Sequence, residues 1–359
     1  MSDLLITDIR ARAVNVPLTY PVRTAVAVVD TSPLVLFDLE TNQGFTGRSY
    51  VFTYTPLGLK PVRELLENLA VVLRGQEVAP YELERMLQRR FRLLGNTGIV
   101  KIACAAIDMA AWDALAQSQR LPLVKLLGGT PKPIPAYDSH SMDGPRIGPM
   151  RAERAVKEGL RAIKIKIGYP TLQEDVASVA LIRKVIGDDI ELMVDMNQGQ
   201  PLPEALRRGR ALEEFRLSWL EEPVLQENYV GFAQVRQALT TPIQLGENWF
   251  SVDEMHKAIV AGAADLVMPD AMKIGGVSGW LRASALAETY QIPMSAHIFE
   301  EFSAHLMAVT PTAHWLEKMG LADAILNEPL QYVDGAARIP DRPGVGMTWN
   351  EKAVETYLV

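Results

Sequence analysis

What most constrains this chain is a rhythm. From about residue 133 onward, short β-branched or apolar runs end in polar residues at Ser139, Lys166, Asp195, Glu221, Glu247, Asp270, His297 and Glu317, with successive gaps of 27, 29, 26, 26, 23, 27 and 20 residues. Amphipathic stretches such as TLQEDVASVALIRKVIGDD and PEALRRGRALEEF lie between them. That alternation specifies βαβ units and a parallel sheet, and one such repeat takes about 30 residues or somewhat fewer. Eight ends over this length describe an α/β fold of the closed (β/α)-barrel kind better than an open sheet. Catalytic groups in such barrels gather at the carboxyl ends of the strands.

The stretch AIKIKIGYP at residues 162–170 gains meaning from that frame. A period of two places Ile163, Ile165 and Ile167 on one face and Lys164 and Lys166 on the other. On an edge strand the lysines would be solvated and would discourage further pairing. Inside a barrel, two neighbouring ammonium groups are costly and need a chemical reason.

Before the barrel, residues 1–125 read as an α+β domain. LVLFDLETNQGFTGRSYVF places a turn at Thr41, Asn42 and Gly44 between two strand-like runs, and three helical patterns end near Gln119. The apolar connection TYPVRTAVAVVDTSP, broken by Pro21 and Pro33, serves either as core packing or as a lid. The formal charge of −7, with no long basic run, argues against nucleic acid as a partner. The single cysteine, Cys104, excludes an intrachain disulfide and a cysteine metal cluster, and reads as a core thiol. MSDLLITDIRARAVNVPL has no signal-peptide core and nothing later approaches a membrane-spanning length, so the expectation is a cytoplasmic protein without a membrane partner.

Three acids stand at three consecutive strand ends: Asp195, Glu221 and Glu247. Gathered in one cavity without a cation, they would repel one another and destabilise the fold. All-oxygen ligation with only three protein ligands favours Mg²⁺, leaving positions open for substrate, with Mn²⁺ able to stand in. Glu222, adjacent to Glu221, should point away if its strand stays regular. Asp270 and His297 end the next two strands, and an aspartate on one imidazole nitrogen makes the other a better base. Lys166 is then a second base across the metal, provided its pKa falls from about 10.4 toward neutrality. The neighbouring Lys164 and the metal supply repulsion of that sign.

The motifs AYDSHS, KIKIGYP, MVDMNQ, WLEEP, LGENW, MPDAMKIGG, PMSAHIF and PTAHWLE, taken in order, resemble the mandelate racemase subgroup of the enolase superfamily. The resemblance implies a (β/α)7β modified TIM barrel at 126–330 under an α+β cap at 1–125, with 331–359 returning to the cap. It implies an isomerase of aromatic hydroxy acid catabolism that interconverts (R)- and (S)-mandelate by two-base 1,1-proton transfer. In that reading Asp195, Glu221 and Glu247 hold Mg²⁺, Lys166 serves the (S)-enantiomer, and His297, oriented by Asp270, serves the (R)-enantiomer. Glu317 would be a protonated acid donating to the substrate carboxylate, Ser139 and Lys164 would help hold that carboxylate, and Asn197 would contact the hydroxyl. Val22, Val26, Val29, Phe52 and Tyr54 would cover an aromatic ring. A homo-oligomer is also implied, with an octamer in range.

Arg23, Ile165, Ile298 and Met319 depart from the subgroup pattern and bear on ring preference. The principal rival is an acid-sugar dehydratase, which can use the same lysines and His–Asp pair. The cycloisomerase and epimerase branch would place a lysine where Asp270 stands.

Overall fold

A computed structural model describes residues 3–359. It opens with an antiparallel sheet of β1 (Ile6–Arg23), β2 (Val28–Thr41) and β3 (Thr46–Phe52), in that order, against which the helices Leu59–Leu73 and Gly98–Ser118 pack, with the helix Pro80–Arg90 lying on the latter. The apolar connection around Pro21 is no loop. β1 and β2 run through it as one long hairpin, with Val22 paired to Val29 and Arg23 to Val28 beyond a register break after Pro17. β1 is an edge strand, where a proline's missing donor leaves no neighbour unpaired. Thr24 closes the tip, its Oγ1 accepting from the backbone N–H of Val26 at 3.1 Å and of Ala27 at 2.9 Å.

The barrel consists of β4 (Ile134–Ser139), β5 (Ala162–Lys166), β6 (Glu191–Asp195), β7 (Trp219–Glu221), β8 (Ile243–Leu245), β9 (Leu266–Val267), β10 (Met294–Ala296) and β11 (Ala313–Lys318). All are parallel, and β11 pairs with β4 to close the ring. Helices follow the first seven strands, whereas β11 leads to a short 3₁₀ turn at Asp323–Ile325, giving the (β/α)7β form. Local sequence supports these starts: Thr171 and Glu174 form a reciprocal capping box at the helix Leu172–Ile186.

Every residue of β5 is buried, so the wet-edge alternative fails. Ile163, Ile165 and Ile167 join the large core shared with the helices, while Ala162 joins a separate cluster of Tyr137, Met193, Trp219 and Leu266 inside the barrel. The face that begins in this plug continues through Lys164 to Lys166. An apolar floor thus excludes water from beneath the polar end.

The last segment has two attachments. β12 (Gln331–Val333) and β13 (Ala336–Arg338) extend the barrel sheet, with β13 antiparallel to β4. Only the later part reaches the cap: the helix Glu351–Tyr357 packs on β1, Glu351 accepts from Arg12, and Val359 N–H donates to Ala13 C=O at 3.0 Å. Among the described residues, no helix is long and apolar enough to cross a membrane.

Candidate active site

Strand register does most of the assembly. Lys166 lies beside Asp195, and Asp195 beside Glu221, so three chemically active residues share one level across β5, β6 and β7. Ser139 lies beside Lys164 one strand over. Beyond β8, Gly246 takes φ 138°, and a Cβ there would lie 2.9 Å from Met268 N; only glycine lets the chain turn Glu247 inward at this spot. Asp270 and His297 lie past the ends of β9 and β10 and are themselves bridged in parallel.

One oxygen from each of Asp195, Glu221 and Glu247 falls within a group spanning 4.8 Å. All three residues are buried. Burial, together with Asp195, Glu247 and Glu317, pushes Glu221 up to about 7 despite Lys164. This is an incompletely neutralised set of hard oxygen donors, and it fits Mg²⁺.

Two lysines are threaded among these acids. Lys164 Nζ lies 2.8 Å from Glu221 Oε1 and 2.9 Å from Glu317 Oε1. Lys166 Nζ lies 2.6 Å from Asp195 Oδ2. The expected depression of Lys166 is absent from this arrangement. Burial, the largest influence, and Lys164 pull it down, but Asp195 together with Glu247 and Glu221 holds it above its ordinary value. Glu317 is drawn the opposite way from the protonated acid the resemblance implies: burial favours its neutral form, yet among the chain's own groups Lys164 and His297 hold it well below the usual carboxylate range. Glu317 Oε2 also accepts from Ile298 N–H at 3.1 Å. Both differences have one cause, because spacing along a strand shows like charges as neighbours while salt bridges across strands are visible only in space.

His297 Nδ1 is 2.6 Å from Asp270 Oδ2, and its Nε2 is 3.3 Å from Glu247 Oε2 and 3.9 Å from Glu317 Oε2. Burial disfavours the imidazolium, but Glu247 and Asp270 prevail and raise its pKa. The other Asp270 oxygen accepts from Met272 N–H at 2.7 Å and Lys273 N–H at 3.0 Å, which fixes the carboxylate plane.

These groups open on a cavity of about 540 Å³ between cap and barrel, lined on the barrel side by Lys166, Asn197, Glu247, His297 and Glu317. Val22, Val26, Val29, Phe52 and Tyr54 line its roof, with Ile298 and Met319 at one side. Ser139 and Lys164 are not among the lining residues, although Ser139 Oγ is buried without a partner.

The sequence reading did not assign cavity roles to Gln198, Glu222, Asn248, Phe250 and Lys273, all of which line it. Glu222 does not point away as a regular strand would require. The chain takes φ 39° there, past the end of β7, and Glu222 lines the cavity. For Lys273 the motif MKIGG was a visible signal, since it lies three residues beyond Asp270.

A capped barrel with a carboxylate triad and two proton carriers at its mouth defines a class of metal-assisted enzymes that move a proton next to a carboxylate. Residues 6–128 match the family described as mandelate racemase / muconate lactonizing enzyme, N-terminal domain, and residues 150–353 match enolase C-terminal domain-like. The chain belongs to the enolase superfamily, in its mandelate racemase and muconate lactonizing enzyme family.

An enolase from Bradyrhizobium, solved with magnesium and mandelic acid, is 46% identical, with a TM-score of 0.96 over 100% of this chain and 99% of that one. L-talarate/galactarate dehydratase of Salmonella typhimurium is 31% identical over 89% of this chain and 81% of its own length. 3,6-Anhydro-alpha-L-galactonate cycloisomerase of Streptomyces coelicolor is 32% identical over 88% of each.

Proposed function

We propose that this enzyme racemises 2-hydroxy acids bearing an aromatic ring, mandelate being the representative substrate, by exchanging the α-proton between Lys166 and His297. The observation that carries this reading is that both groups line one cavity whose roof is Val22, Val26, Val29 and Phe52. Unpaired sugar hydroxyls against such a surface would be costly. The bound Bradyrhizobium relative supports the same substrate class.

Magnesium, when bound at Asp195, Glu221 and Glu247, supplies positive charge for the substrate carboxylate as the second negative charge develops. Lys166 Nζ takes or returns the proton on the face presented by the (S)-enantiomer. His297 Nε2 does so on the opposite face, with Asp270 holding Nδ1 so that Nε2 is the working nitrogen. Asn197 Oδ1, buried without a partner at the cavity wall, accepts from the α-hydroxyl. Lys164 and Glu317 stay paired and set the charge beneath the carboxylate. Two bases on two faces make the exchange symmetric.

A second reading, dehydration of an acid sugar, is favoured by the polar wall of Gln198, Glu222, Asn248 and Lys273 and by the dehydratase relative. The purified protein with Mg²⁺ and one enantiomer of mandelate should lose optical rotation to zero. Unchanged rotation, with keto-acid formed from a panel of sugar acids, would replace the first reading with the second.

A further inference from the structure

Glu222 combines three features that structural packing does not require. Its backbone sits at φ 39°, which is costly for a residue with a side chain and tends to be kept where geometry serves a function. Its carboxylate is 1% exposed yet lines the cavity. One of its oxygens is tightly held while the other, Oε2, is buried with no partner.

The held oxygen, Oε1, accepts from Asn248 Nδ2 at 2.7 Å. The same amide nitrogen lies 3.4 Å from Glu247 Oε1, so Asn248 ties Glu222 to a residue of the carboxylate triad. Asn248 is itself fixed, because its Oδ1 accepts from Lys273 Nζ at 2.7 Å. Lys273 is buried and makes no ion pair within 4.0 Å among the described residues; its ammonium lies 4.5 Å from the centroid of the Tyr54 ring. A cation placed to hold an amide, an amide placed to hold two carboxylates, and a strained backbone together fix Glu222 at the wall of the site with one buried oxygen left unpartnered.

We propose that Glu222 is a fourth carboxylate of the metal centre, outside the direct ligand set, whose Oε2 accepts hydrogen bonds from the hydration shell of the divalent ion, with Asn248 and Lys273 as its positioning residues. Mg²⁺ releases its water reluctantly and keeps several molecules in most protein sites, so an acceptor just beyond the triad is chemically apt. Such outer partners typically change affinity by about 10- to 100-fold. The proposal rests on the magnesium reading of Asp195, Glu221 and Glu247, and not on which acid is turned over.

The test is calorimetric titration of substrate-free protein with Mg²⁺ alone. Glu222→Gln should raise the Kd about tenfold or more without lowering the melting temperature of the metal-free protein, since it removes one of several mutually repelling buried carboxylates. Glu222→Asp, which keeps the charge but withdraws the oxygen, should bind as weakly as the glutamine variant. Asn248→Ala, which frees the carboxylate without removing it, should weaken binding by a smaller factor, and it keeps the question open to measurement should the Glu222 variants fail to fold. Glu221→Gln is the reference for a direct ligand. Loss of affinity there with wild-type Kd in Glu222→Gln would overturn the proposal alone, whereas wild-type Kd in both would overturn the metal site itself. Wild-type affinity in Glu222→Asp would reduce the residue to a charge and likewise overturn the contact.

Discussion

An ammonium 2.6 Å from a carboxylate is a poor base, and Lys166 can act only when Asp195 is engaged elsewhere. A cation held by Asp195 would leave Lys166 with burial and Lys164, both of which pull its pKa down. On the proposed function, base action by Lys166 and metal binding by Asp195 would be coupled through one side chain. At this scale Lys166→Ala should abolish α-proton exchange with (S)-mandelate, a loss of about 10²- to 10⁴-fold, read by deuterium incorporation. His297→Asn should lose exchange with (R)-mandelate to a similar degree and retain it with (S). Wild-type racemisation by both variants would refute the two-base assignment. Asp195, Glu221 and Glu247 were legible because strand ends recur in the sequence. Glu222 was not, since its direction depends on one backbone angle of 39° that no residue pattern announces.

Among the elements, the hairpin of β1 and β2 is the one whose seat is visible. Its tip residue Ala25 lies against Gly168 and Gly199, just beyond Lys166 and Asp195; a Cβ at either would stand 2.6 Å from the Ala25 methyl. Gly199 is the cleaner probe, because Gly168 also takes φ 110° and would add backbone strain. Gly199→Ala should push the tip away, raise KM about tenfold with a smaller change in kcat, and quicken tryptic cleavage after the exposed Arg23. Unaltered KM and cleavage would mean that the tip does not govern access. The sequence left this segment open between core and cover, and its prolines argued against strand. Edge position resolves the conflict for Pro21 on β1, whereas Pro33 lies on the central strand β2, opposite Asn15 and with its C=O accepting from Thr53 N–H. Register and neighbours, rather than local propensity, thus decide where a proline is tolerated.

At the scale of the whole molecule, the pH dependence of stability is set in part by buried ionisable groups at the seams. His305, on the helix Glu300–Ala308, is pushed down to about 4 by burial; its Nδ1 accepts from Val124 N–H at 3.1 Å, as a neutral ring does. The unfolded chain binds this proton near pH 6.5, so the stability it lends is complete above that pH. It is lost as pH falls toward 4, by up to about 3 kcal/mol. Glu301, which accepts from Tyr50 of the cap at 2.6 Å, is raised to about 7 by burial and has the opposite sign: its share is complete below about pH 4.5 and lost as pH rises through 7. Urea denaturation across pH should find the acid limb flattened in His305→Gln and the alkaline limb in Glu301→Gln. Unchanged limbs would show that these seams carry no such linkage. None of this was legible in the sequence, because burial of a histidine or glutamate depends on which distant segments close over it.

The attachment of Glu351 and Val359 to Arg12 and Ala13 has a consequence in time. These contacts join residues more than 330 positions apart, so β1 leaves the ribosome early and waits for nearly the whole barrel before its last partner exists. The cap precedes the barrel along the chain yet is completed only after it, and until then the edge of β1 is open to pairing with another chain.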